Sequence, residues 1–136
     1  MKTKLNLVLA LVVAIFTLAF VGCSKDDDPS TGGSIDAAVG TFKGTIQIPG
    51  EDKMFDKVLV VTKVSDGVLR AKVQDESLGL PGKEFSVINN MDISIQTSGV
   101  SPEGSFLYDV KNRTLLCQGE ETNEGDIFYT FGGSKQ

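Results

Sequence analysis

Few residues in this chain can do chemistry, and one absence narrows the choice further: its 136 residues include no histidine. That removes Ser–His and Cys–His nucleophile pairs, most zinc and copper sites, and the side chain most used for proton transfer near neutral pH. What remains is an acidic run at residues 120–126, the adjacent carboxylates Asp75 and Glu76, and the cysteines Cys23 and Cys117. In the run, Glu120, Glu121, Thr122, Asn123, Glu124 and Asp126 offer the oxygen ligands that suit a hard cation. On an EF-hand frame begun at Glu120, however, the closing position that needs a bidentate carboxylate is Phe131. A solvated hairpin loop explains the charges as well, so no metal site is expected. Asp75 and Glu76, being neighbours on a strand or loop, diverge and read as surface groups with no identifiable partner. Cys117, beside Leu115 and Leu116 and with no adjacent base, reads as a buried, inert thiol. Tyr108, Phe128, Tyr129 and Phe131 could line a pocket or fill a core, and core filling is the expectation. No catalytic residue is assigned, no cofactor is implied, and the ligand-binding residues stay unknown.

Cys23 stands in a different setting. Lys2 and Lys4 precede an apolar run at residues 5–20, the order of a secretory signal, and Val21 and Gly22 are small enough for cleavage just before the cysteine. This resembles the lipobox of bacterial lipoproteins, with Phe20 where leucine is commonest. The resemblance implies a Cys23 sulfur carrying diacylglycerol and an acylated new amino terminus. Each buried methylene contributes about 0.8 kcal/mol and stable anchoring takes about two chains, so such a cysteine would hold the protein on a membrane by itself. The alternative is a retained transmembrane helix, since the run approaches the roughly 20 apolar residues that span a bilayer. A spanning helix, though, has no reason to end on Gly-Cys before a polar, acidic stretch. Ser24, Lys25, Asp26, Asp27 and Asp28 follow, either as a solvated linker extended by like charges or as a segment resembling the surface-export signal of Bacteroidota-type lipoproteins. The second reading implies an outer-membrane protein facing the cell exterior, with the periplasmic face as the alternative. Lipidation of Cys23 leaves Cys117 without an intramolecular partner, so no disulfide is expected.

The elements that would position such groups make one modest domain. The expected organisation is a cleaved signal peptide at 1–22, a lipidated acidic and Gly/Ser-rich tether at 23–39, and a folded domain at 40–136. The formal charge is −5 and becomes more negative once Lys2 and Lys4 leave with the leader. Basic residues are scattered singly, which argues against nucleic acid as a partner.

From Gly40 onward apolar residues recur mainly at period two, with Gly, Asn, Asp and Pro punctuating every eight to twelve residues, the pattern of an antiparallel meander. Phe42, Gly44, Ile46 and Ile48 share one face. The run at 54–64 and the return at 69–73 flank Asp66 and Gly67, a strong hairpin signal. A two-residue loop there sets Val60 and Val64 opposite Val73 and Leu69; a bulged three-residue loop sets Leu59 and Val61 opposite Val73 and Ala71. The spacing leaves both open. Asn89 and Asn90 are the expected turn of the next hairpin, since asparagine tolerates left-handed backbone. Lys111 and Asn112 form another, pairing Tyr108 with Leu115 and Phe106 with Cys117. Seven or eight short strands hide their edges most economically by closing into an up-and-down barrel, with a two-sheet sandwich as the alternative. With strands so short, side chains could fill most of the interior.

Three stretches resemble calycin-like (lipocalin-like) β-barrel lipoproteins: Gly40-Thr41-Phe42-Lys43-Gly44-Thr45, residues 60–67, and Tyr129-Thr130-Phe131-Gly132-Gly133-Ser134-Lys135. Phe42 stands where lipocalins carry the tryptophan of Gly-x-Trp. The resemblance implies an all-β barrel that binds rather than catalyses. Its partner would be a small apolar molecule, a glycan or an envelope protein, the alternative being a barrel-type inhibitor of a lysozyme or protease that blocks with the loop at 97–104 or at 120–125.

Overall fold

Strands that bury one face must either find a second sheet or close on themselves, and here they close. The structure, a computed structural model, describes residues 33–136. Its strands are β1 (Gly40–Gln47), β2 (Met54–Ser65), β3 (Val68–Val73), β4 (Lys83–Asn90), β5 (Ser94–Thr97), β6 (Gly104–Asp109), β7 (Thr114–Gly119) and β8 (Tyr129–Lys135). Each pairs antiparallel with the next, and β8 returns to β1, giving a closed eight-stranded barrel. This is the up-and-down architecture consistent with a calycin-like fold, and the sandwich is excluded. Short 3₁₀ turns at Asp36–Ala38 and Glu76–Leu78 are the helical elements of the described residues.

Packing chooses between the registers that the β2–β3 spacing left open. Leu59 faces Val73 and Val61 faces Ala71, with a bulge between Lys63 and Ser65. That register turns Leu59, Val61, Leu69, Ala71 and Val73 inward, all at most 1% exposed. The β6–β7 hairpin pairs Phe106 with Cys117 and Tyr108 with Leu115, as its turn residues predict. The β4–β5 hairpin differs from expectation. Its strand runs through Asn89 and Asn90, and the turn falls on residues 91–93, where Met91 and Asp92 hold positive φ of 52° and 58°. The physical reason is that Asn89 continues the inward alternation of Lys83, Phe85 and Val87 and is only 5% exposed. There its Nδ2 donates to the Ser34 carbonyl (2.7 Å) and to Asp92 Oδ1 (2.8 Å), while its Oδ1 accepts from the Asp92 amide.

Side chains fill the barrel axis. Phe42 meets Tyr108 edge-on at 5.7 Å between ring centroids, Phe85 meets Phe106 at 5.8 Å, and Tyr129, Phe131, Ile46 and Ile95 are fully buried around them. The barrel end that holds the β2–β3, β4–β5 and β6–β7 turns is closed by the segment before β1. Ile35 and Ala38 are buried there, so the packed core begins upstream of Gly40, where the alternation starts. Lys63 bonds Asp36 (2.8 Å), and Lys135 donates to the Ala37 carbonyl (2.7 Å) while lying 5.8 Å over the Tyr108 ring.

Closure brings β1 and β8 unusually close. Gly44 lies opposite Gly133, and a Cβ on Gly44 would collide with the Gly132 carbonyl oxygen. A Cβ on Gly133 would sit 2.6 Å from the Lys43 carbonyl oxygen and 2.7 Å from Phe131 Cζ. The obstacles are mostly backbone, so neither can rotate away. Gly44→Ala is therefore expected to lower stability by about 2–3 kcal/mol, in the upper part of the overpacking range, read as a lower urea midpoint with an unchanged slope.

Candidate functional site

The most chemically distinctive cluster lies at the opposite end of the barrel and grows from the alternation of β4. Lys83 occupies an inward position one step before Phe85, which turns a long cationic side chain into an apolar interior; the residue is 1% exposed. An isolated ammonium there would cost several kcal/mol. The loops at that end supply its partners. Lys83 Nζ donates to Asp126 Oδ2 (2.7 Å) and Thr122 Oγ1 (2.8 Å), and Glu103 Oε2 lies 3.3 Å away. Asp126 also accepts from the amides of Thr122 and Asn123 (3.1 and 3.0 Å) and from the Thr122 hydroxyl.

In the acidic run at 120–126, Glu121 and Glu124 are exposed, as a solvated loop predicts, while Thr122 and Asp126 are tied to Lys83. The Lys83 ammonium holds the loop over the barrel end through Thr122 and Asp126. Burial alone would pull the Lys83 pKa down, but hydrogen bonds with Asp126 and Glu103 outweigh it and the value ends raised. The amine stays protonated, which suits an internal counter-ion and not a nucleophile or Schiff-base former. Asp126 is held well below the usual carboxylate range, first by Lys83.

Other groups singled out from the sequence fall as follows. Asp75 has the partner that adjacency did not suggest: Lys57 Nζ at 2.6 Å, with its other oxygen capping the 3₁₀ turn through the Ser77 amide. The Lys57 hydrogen bond is the main reason its pKa falls to about 2. Glu76 is an exposed neighbour of Lys72 at 3.9 Å. Cys117 is a free, fully buried thiol whose pKa burial pushes up to about 12, so thiolate chemistry is suppressed. Tyr108, Tyr129 and Phe131 fill the core, and Phe128 is half-buried in the loop before β8. The Tyr129 hydroxyl is buried without a hydrogen-bond partner. Cys23, Ser24, Lys25, Asp26, Asp27 and Asp28 lie outside the described residues.

Clefts on the outer wall include two of similar volume. One, about 450 Å³, is lined by Arg70, Gly82, Ser86, Glu103 and Asn123 beside the Lys83 cluster. The other, about 420 Å³, runs along β6, β7 and β8. Its floor, Leu107, Leu116 and Gly132, is one part of a longer row set by register. Ile88, Gln96, Leu107, Leu116 and Gly132 form one row across adjacent strands. Ile88, Leu107 and Leu116 point outward, 44%, 43% and 56% exposed, and Gly132 leaves a hollow beside Leu116. Asp109, Thr114 and Ser134 rim it.

Neither Lys83 nor the outer row was singled out from sequence. Extending the inward alternation of Phe85 and Val87 back by two positions would have placed Lys83 inside. The outer row depends on the registers of four ladders and has no signal in any single strand.

A scan of protein-family models and searches of curated proteins and of solved structures return no match to this chain.

Removing the ammonium leaves Asp126 and Glu103 facing one another over an apolar end. Lys83→Met is expected to cost about 3 kcal/mol, the low end for breaking a buried pair, because Glu103 stays a third exposed to water. The pH dependence has a definite sign. Asp75 and Asp126 have folded pKa values below the ordinary 3.8, so their stabilisation is full above that value and is lost as pH falls through the folded ones, near 2 for Asp75. Urea titrations between pH 5 and pH 2 should therefore show stability falling with acid in the wild type. The fall should be shallower in Lys83→Met, where Asp126 has lost its main cause of depression.

Proposed function

We propose that this protein is an outer-membrane lipoprotein, held by an acylated Cys23 and exported to the cell surface through Ser24, Lys25, Asp26, Asp27 and Asp28. In this reading it is a non-enzymatic binding module for a protein partner of the envelope. The observation that carries the choice of partner is the contrast between a filled axis and an apolar outer row. Phe42, Phe85, Phe106, Tyr129 and Phe131 occupy the volume in which a carrier barrel would enclose a small apolar molecule. Leu107 and Leu116 sit outside within a rim of Asp109, Thr114 and Ser134, with Ile88 beyond Gln96 in the same row, and an apolar centre with a polar rim is the anatomy of a protein-docking patch. Fully covering a leucine contributes about 1.5–3 kcal/mol, so Leu107 and Leu116 together would supply the apolar centre of such an interface.

The inhibitor reading keeps one specific support: Val100, at the tip of the loop between β5 and β6, is fully exposed. A blocking loop needs such a side chain to enter a target's cleft. Slowed turnover by a lysozyme or a protease at micromolar protein, reversed by Val100→Asp, would favour it.

The anchor is tested by Cys23→Ala, which is expected to abolish the acyl mass and move the protein from the membrane to the soluble fraction; continued membrane retention would remove the lipobox assignment. The docking row is tested in living cells with a photo-crosslinking residue at Leu116 and a control at Lys72, on the far wall. A discrete cross-linked species at 116, absent at 72 and lost with Leu107→Glu, is the expected result. Equal labelling at both positions would count against a specific partner.

A further inference from the structure

The chain enters the barrel at a particular corner, and that corner differs chemically from the rest of the surface. Gly33 packs against Asp92 and Asn89, and Asn89 holds the Ser34 carbonyl, so the incoming chain is pinned beside the β4–β5 turn. At that turn Met91 and Ile93 are 79% and 64% exposed. The Ile93 carbonyl accepts the Val110 amide (3.1 Å), which brings the β6–β7 turn alongside. Lys111 and Arg113 project from it, exposed and without an ion-pair partner among the described residues. Nearby acids are already engaged: Asp36 and Asp66 with Lys63, Asp92 with Asn89, and Asp109 with Asn112.

From these observations we infer that this corner is a membrane-contact tip: the β4–β5 turn inserts Met91 and Ile93 into the headgroup region of the bilayer that anchors the chain, with Lys111 and Arg113 against anionic headgroups. The inference rests on the proposed acylation of Cys23. Gly33 lies ten residue steps after Cys23, and a chain of that length reaches at most about 36 Å even when fully extended. So short a link keeps the tip at high effective concentration at the bilayer surface, where weak apolar and cationic contacts suffice. The opposite end also exposes apolar groups, Phe55 and Val100, but its loops carry Glu51, Asp52, Glu121 and Glu124 against one exposed cation, Lys53, and that acidic excess is repelled by anionic lipid. The two ends therefore sort themselves, one toward lipid and one toward solvent.

The test uses the full acylated chain reconstituted into vesicles of phosphatidylethanolamine and phosphatidylglycerol. A polarity-sensitive fluorophore is attached at Met91→Cys or, as the control at the far end, at Val100→Cys. Cys117 is buried and escapes labelling, and circular dichroism checks that each variant keeps its barrel. Expected at 91 are a blue shift on reconstitution and severalfold stronger quenching by spin-labelled lipid than at 100. In the Lys111→Ser, Arg113→Ser background that quenching should weaken. An acylated, vesicle-bound chain whose position 91 stays in water, or is quenched no more than position 100, overturns the contact while leaving the anchor standing. A chain without acyl mass that floats free of vesicles overturns both.

Discussion

At one point of the ladder between β1 and β8 the two backbones approach more closely than a Cβ allows, and the pairing of Gly44 with Gly133 meets that requirement. With the ladder formed, no strand has a free edge, every inward position faces the same small volume, and the aromatic side chains meet on the axis. Without it the same strands would make an open sheet whose first and last edges offer unpaired amides to other chains. The same closure fills the interior, so space for any ligand is left only on the outer wall and at the two ends.

The ends are closed by different physics. At the chain's entry, Ile35 and Ala38 act as an apolar stopper, pinned by polar contacts from Asn89, Lys63 and Lys135. At the other end the closing group is the Lys83 ammonium, which gathers Asp126, Thr122 and Glu103 and draws a loop across the barrel. A buried ion pair is a costly way to hold a loop compared with apolar packing. Its advantage is direction: a point charge accepts partners only where their oxygens converge, so the loop has one docked geometry. The cost of desolvating Lys83 is offset by several acceptors acting on one cation.

This asymmetry gives the molecule a polarity along its axis. The entry end is nearly balanced in charge and bears Met91 and Ile93; the far end concentrates the exposed carboxylates of the loops. Between them runs the outer row of Ile88, Leu107 and Leu116. An anchored protein with that arrangement would present its wall and its acidic end away from the bilayer, which is the orientation a surface binding module needs.

Period-two alternation from Gly40, the Asp66-Gly67 and Lys111-Asn112 turns, and the absence of any long amphipathic run were enough to reach an all-β meander of seven or eight strands. The sequence alone also paired Phe106 with Cys117, from the alternation on either side of Lys111 and Asn112, and the lack of histidine bounded the chemistry from composition. Only tertiary structure decided the rest, for reasons of distance. The bulge at Lys63 to Ser65 was selected by which face of β2 had to be buried, a fact about the whole barrel. Asn89 takes an inward position of β4 and not the turn, and there it bonds the Ser34 carbonyl, 55 residues away. The acidic loop took its fold from Lys83, 43 residues before Asp126, and local composition cannot distinguish a solvated carboxylate from one awaiting a distant ammonium. The outer row exists only where ladders from five strands align, so no stretch of chain contains it.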